Sequence, residues 1–146
     1  LLDSNLEWQH LIAGGVVALL ISLIFCYKCD VFSELKLTPM SFVNTIVYLL
    51  VFFVELIKSN LDVAYRVISP SLPINPGIVK VRTKLKSRMG RLILANSITL
   101  TPGTFTVDIK DENLYIHWID VKDKDINAAT EKIVRKFEKY LEGIYG

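Results

Sequence analysis

Residues Met40 to Ser69 read MSFVNTIVYLLVFFVELIKSNLDVAYRVIS, and the reading of this stretch decides the fold. Its first half, Met40 to Ile57, is apolar apart from Ser41, Asn44, Thr45 and Glu55. As a helix that run is about 27 Å long, close to the ~30 Å hydrocarbon thickness of a bilayer. From Lys58 the helical period continues but turns amphipathic. Leu61, Ala64, Tyr65 and Ile68 repeat at three- and four-residue steps, while Lys58, Asp62 and Arg66 lie on another face. The pattern predicts one helix over residues 39–68 that leaves a membrane and continues into water. Thr38 is its expected cap and Pro39 its first helical residue.

Toward the N-terminus, Leu11 to Tyr27 (LIAGGVVALLISLIFCY) carries no charge and predicts a second membrane helix, roughly 26 Å long. Gly14, Gly15 and Ala18 place small groups at close steps, which suits tight contact with another helix. Trp8 fits a water–lipid boundary, and Asp3, Ser4 or Asn5 could cap the helix. No basic leader precedes the run and no small-residue cleavage pattern follows it, which argues against a signal peptide. A start at Leu1 rather than Met leads us to expect residues upstream. Cys26 and Cys29 form a Cys-x-x-Cys pair, but the only histidines, His10 and His117, are too remote to complete a metal site. The pair also falls at the C-terminal end of a helix, where the dipole disfavours a thiolate, so packing or lipid contact is the better reading.

Toward the C-terminus the composition changes. Hydrophobic residues make up 51% of the chain, but the first third is almost wholly apolar and the second half holds most of the charge, so the net +2 hides a local imbalance. Lys58, Arg66, Lys80, Arg82, Lys84, Lys86, Arg88 and Arg91 all follow the second apolar run, and the positive-inside rule then places the C-terminal half in the cytoplasm. Ser69 to Gly77 is a proline-rich, stiff linker. Ile78 to Lys86 alternates apolar and basic residues as a strand with one charged face. Arg88 to Leu100 fits either a short buried helix or, at its end, a strand; Thr101 to Thr104 (TPGT) is a turn. Phe105–Ile109 and Leu114–Ile119 predict a hairpin with Leu114, Ile116 and Trp118 on one face. A last helix, capped by Asp123 or Asp125, carries an apolar stripe from Ile126 to Ile144 opposed by Glu131, Lys132, Arg135, Lys136 and Glu138. The expected architecture is a membrane anchor of at least two transmembrane helices over 1–69 (helices about 11–27 and 39–68). A linker over 70–77 and a small cytoplasmic α+β domain over 78–146 complete it.

No catalytic constellation, cofactor loop or metal cluster stands out, so a catalytic role finds no support. The six cations from Lys80 to Arg91 include no acid between them and would suit anionic lipid or an acidic protein better than nucleic acid, given the adjacent anchor. Glu55 has two open readings. It either faces a partner or water-filled ion path at membrane depth, or sits at the interface paired with Lys58.

Taken in order, four blocks carry a family resemblance: Asn60-Leu61-x-Val63-Ala64, Pro76-Gly77-Ile78-Val79, Leu94-Ala95-Asn96-Ser97-Ile98-Thr99-Leu100-Thr101-Pro102-Gly103-Thr104 and Leu114-Tyr115-Ile116-His117. They resemble the MrpE/MnhE family, one of the small subunits of the Mrp-type multisubunit sodium/proton antiporters. The LANSITLTPGT block is the specific part. Similar subunits belong to archaeal membrane-bound hydrogenase and sulfane-sulfur reductase complexes. The resemblance implies a small, non-catalytic, multi-pass subunit without cofactors, whose partners are other membrane subunits and the bilayer. It also implies a shared motif, with Asn96, Thr99, Thr101, Pro102, Gly103 and Thr104 shaping the domain or its docking surface. The rival reading is a stand-alone tethered module that recruits anionic lipid or an acidic protein through its basic strand.

Overall fold

The computed structural model describes residues 8–26, 34, 36, 38–122 and 125–146. Contacts divide it into two compact units, Leu1–Glu34 and Leu35–Gly146. In the first unit, α1 spans Trp8–Cys26, and its described side chains, residues 8–24, are all exposed. Gly14 and Gly15 have open space around them and Ala18 is exposed. The expected caps at residues 3–5, the Cys26 side chain and Cys29 lie outside the described residues.

The second unit begins with α2, Pro39–Ile68. Thr38 caps it as expected, its Oγ1 accepting from Ser41 N at 3.1 Å with Pro39 in the first turn. Among the described residues α2 is the one helix long and apolar enough to cross a membrane; the apolar run of α1, Trp8–Ile24, is shorter. After α2 come β1 (Gly77–Arg82), α3 (Arg88–Leu100), β2 (Thr104–Lys110), β3 (Asn113–Trp118), α4 (Ile126–Ile133) and α5 (Arg135–Tyr145). The three strands form an antiparallel sheet in the order β1-β3-β2, a small α+β domain. β1 is therefore an edge strand. Its register sets Val79 opposite Ile116 and Val81 opposite Leu114, all buried on the face under the helices. On the other face Ile78, Arg82 and His117 are exposed.

The ambiguous segment 88–100 is helical. Ser87 Oγ accepts from Gly90 N at 2.9 Å, and Leu94, Ala95 and Ile98 supply a buried helical face that outweighs the strand preference of its β-branched end. The hairpin closes at Asp111 and Glu112, with Asp111 in the left-handed region (φ 53) that short polar side chains tolerate. The last helix is not continuous. Asp125 caps α4, its Oδ2 accepting from Asn127 N and Ala128 N, and the chain breaks at Val134 before α5. Near the break Thr130 Oγ1 donates to the Ile126 carbonyl at 2.6 Å, the kind of back-bond that bends helices.

The largest departure from expectation concerns α2. It was expected to leave the membrane and continue into water, set apart from the soluble domain by the linker, yet α2 packs on that domain along its whole length. Lys36 N donates to Ile144 O (3.0 Å), Tyr48 and Phe52 lie 6.4 Å from the Phe137 ring, and Lys136 reaches Glu55. α5 thus runs antiparallel along α2 as far as Glu55, with Lys36 beside its C-terminal end. Farther on, the linker doubles back. Arg66 Nη1 donates to Pro73 O at 2.5 Å, and Asn75 exchanges backbone bonds with Ile119 and Val121. The amphipathic half is also turned about relative to the expectation. Leu61, Tyr65 and Ile68 face outward, and Arg66, expected on a solvated face, is buried.

Candidate functional site

The residues that carry chemistry collect along the seam between α2 and the domain. Every polar interruption of the apolar run lies on the covered side. Ser41 is buried, Asn44, Thr45 and Glu55 are half-buried, and Ser59, Val63 and Arg66 continue the same row. Two of these polar contacts hold α2 to the domain near its middle. Ser97 Oγ donates to Ile93 O at 2.6 Å, which leaves the Tyr48 hydroxyl to donate to Ser97 Oγ. Glu55 accepts from Lys136 Nζ at 2.7 Å through Oε2 and from Lys58 Nζ at 3.2 Å through Oε1. Lys58 was the partner in one of the two open readings of Glu55; Lys136, on α5, was in neither.

At the far end of the seam Arg66 bridges Asp62 (Nε–Oδ2 2.8 Å) and Asp120 (Nη2–Oδ2 3.0 Å). A cavity of about 140 Å³ lies there, lined among others by Ser59, Asp62, Arg66, Gly103, Asp120 and Lys136. It is roomy enough for a few waters. Of its lining cations Arg66 and Lys136 are held by carboxylates, Lys122 and Lys132 stand at the exposed rim, and Ser59 Oγ donates to the Leu56 carbonyl at 3.0 Å. The arrangement ties elements together and brings no nucleophile to a base.

The TPGT turn forms the floor of this region. Thr101 Oγ1 and Thr104 Oγ1 both donate to the Ile98 carbonyl, at 2.8 and 2.7 Å. Thr99 Oγ1 accepts from Thr106 N at 3.1 Å, stitching α3 to β2. Gly103 has φ +91, and a Cβ there would meet Ile119 Cγ2 at 3.0 Å and Val63 Cγ2 at 3.5 Å, so the turn closes directly onto α2. Asn96 differs from Thr99, Thr101, Pro102, Gly103 and Thr104 in being exposed.

The basic run is not one patch. Lys80 and Arg82 sit on the sheet face away from the helices, and Lys84 and Lys86 extend past β1 while Thr83 and Leu85 turn inward. Arg88 is exposed at the start of α3. Arg91 is committed to carbonyl oxygens, those of Asp111 and Lys86. Beneath the run lies a residue that pattern reading placed on the wrong side. Glu138 was expected among the solvated charges of the last helix, but it is 1% exposed. Its Oε1 accepts from Thr83 Oγ1 (2.5 Å) and Lys84 N (2.6 Å), and its Oε2 from Arg135 Nη1 (2.5 Å). Its position, four residues after Val134 and three before Leu141, was the available sign that it borders the apolar stripe.

The model of the family described as MNHE, Na+/H+ ion antiporter subunit, matches residues 1–144. The chain is 46% identical over 93 residues to the E-type Na+/H+ antiporter subunit of Alkalihalophilus pseudofirmus, across 62% of this chain and 55% of that protein. With the E1-type subunit of Staphylococcus haemolyticus the identity is 43% over 93 residues, across 59% and 58%. The chain thus spans a little over half the length of the curated relatives it matches. Among solved structures it is similar to a chain from the membrane-bound sulfane sulfur reductase, an archaeal respiratory membrane complex. The TM-score is 0.75 and the identity 42%, covering 96% of this chain and 87% of that one.

Proposed function

Because the chain belongs to the MNHE family of Na+/H+ ion antiporter subunits, we propose that it works as an accessory, non-catalytic subunit of a multisubunit cation/proton antiporter module. The parent assembly is either an antiporter or a related respiratory complex. The observation that carries this reading is the match along 96% of the chain to one component of an archaeal respiratory membrane complex. In this role α1 is embedded in the membrane, α2 holds the chain against it through its apolar face, and the α+β domain faces the cytoplasm, in keeping with the excess of Lys and Arg after residue 57. The exposed small-residue row of α1, at Gly14, Gly15 and Ala18, is a surface for a partner helix. Asn96 and the cations Lys80, Arg82 and Lys84 are the groups left for companion subunits, while Lys86 and Arg88 are left for either a companion or lipid headgroups. Glu55, held by two lysines, serves as a clamp in this reading rather than as an ion ligand.

Affinity purification of the tagged chain from its native membranes tests the proposal. Other multi-span subunits should co-purify in fixed proportion, and sodium/proton exchange should be lost when the chain is deleted. Recovery of a lone monomer would overturn it.

A further inference from the structure

The outward face of α2 is a single unbroken apolar row. Opposite the covered polar stripe stand Val43, Ile46, Leu50, Val54, Ile57, Leu61, Ala64 and Ile68, all exposed. From Val43 to Ile68 the row is about 38 Å long, more than the ~30 Å hydrocarbon layer, and no polar residue interrupts it. We propose that α2 lies along the cytoplasmic surface of the bilayer with this row sunk in the lipid, in place of the second crossing that its hydropathy suggests. The proposal rests on the chain being a membrane protein, and not on its being an antiporter subunit.

Two observations exclude a crossing on physical grounds. First, the domain accompanies the helix. At the midpoint of the expected span, between the contacts of Asn44 with Gly143 and of Phe52 with Phe137, α5 carries the exposed charges Lys139 and Glu142. A crossing α2 would drag both to the middle of the hydrocarbon, where charged side chains are costly. Second, a crossing would leave Leu61, Ala64 and Ile68 in water, although they continue the same row. An in-plane helix needs neither, because its polar stripe is satisfied by its own domain and its apolar row stays at one depth.

Lipid fits this face better than a partner helix does. The row consists of large aliphatic side chains with only Ala64 small, so it offers no groove for close backbone approach. Lys58 and Tyr65 border it and are exposed, with apolar bodies and polar tips suited to the headgroup level. At the end of the body where α2 begins, Lys36, Lys86 and Arg88 are also exposed. Gly90 there abuts Tyr145, next to the Lys36–Ile144 bond. These cations complement anionic headgroups.

Depth-dependent fluorescence quenching tests the proposal. Single cysteines replace Val43, Leu50, Ile57 and Ile68 one at a time in the full chain, with Cys26 and Cys29 changed to Ser, and each carries a bimane probe. The four positions are exposed, so folding is not at stake. The variants are read in vesicles of phosphatidylcholine and phosphatidylglycerol carrying a quencher either near the headgroup or near the chain end. They are read again in membranes where the chain is assembled with its companions. Equal, shallow depths at all four sites, in both settings, are expected. A profile in which Leu50 is deepest, with Val43 and Ile57 near opposite surfaces, would show a crossing and overturn the proposal. Loss of lipid quenching in the assembled state would show a protein partner on the row and overturn it as well. Absence of companion subunits would count against the antiporter reading alone, since the vesicle profile does not depend on them.

Discussion

Replacing Glu138 separates the two ways in which that buried carboxylate holds the domain together. Glu138→Ala removes the acceptor of both the Thr83 hydroxyl and the Lys84 amide and leaves Arg135 without this partner. A buried donor stripped of its acceptor costs about 1–3 kcal/mol, and breaking a buried ion pair about 3–5 kcal/mol. Arg135 is about a third exposed and keeps Glu131 within reach at 3.6 Å, so its share is small and the hydrogen bonds dominate. The expected total for Glu138→Ala is about 3–4 kcal/mol. Glu138→Gln retains an oxygen for Thr83 and Lys84 but loses the pairing with Arg135 and sets a buried amide NH2 against its guanidinium, at about 2 kcal/mol. For a domain of this size each kcal/mol moves the melting temperature by about 4 °C, giving shifts of ~14 °C for Ala and ~8 °C for Gln. Far-UV circular dichroism of the detergent-solubilised chain, heated with and without each substitution, reads both shifts. Small and equal shifts would refute the reasoning, because they would mean that neither the burial nor the bonds of Glu138 contribute to stability.

Gly103→Ala should cost about 2 kcal/mol, because an L side chain at φ +91 is strained and its Cβ would press on Ile119; the denaturant midpoint measures this. Tyr48→Phe and Ser97→Ala should each cost about 1 kcal/mol by the same assay, and the double variant little more than either, since both remove one shared hydrogen bond. Full additivity would disprove that contact. Glu55→Gln should lower stability by about 1 kcal/mol, since both lysine partners are partly exposed, while sodium movement by the assembled module stays normal. Impaired transport with intact assembly would put Glu55 on the ion path after all.

Local chemistry made much of this legible beforehand. Thr38-Pro39 marked the start of α2, and of the two candidates Asp123 (outside the described residues) and Asp125 it is Asp125 that caps α4; a cap needs only residues within one turn. Leu114, Ile116 and Trp118 fell on the covered side of β3 because a strand's period of two leaves one face to choose. Residues 88–100 resisted because their β-branched end and their buried helical face point to different structures, and packing against β2 and α5 settled the matter. Ser97 escaped notice because its partner Tyr48 is 49 residues away.

Chain order and period were enough to set down the helices, the hairpin, the basic run and the motif block by which the family is recognised. They could not say which side of α2 would be inside. A helical period sorts residues into rows but does not state what covers each row, and Ser41, Asn44, Glu55 and Arg66 read equally well as scattered interruptions of a membrane span. Their common purpose emerged once α5, α3 and the segment after β3, brought from as far as 81 residues away, supplied Lys136, Ser97 and Asp120 along that row. Polar groups need partners, and where those partners come from depends on how the folded chain returns.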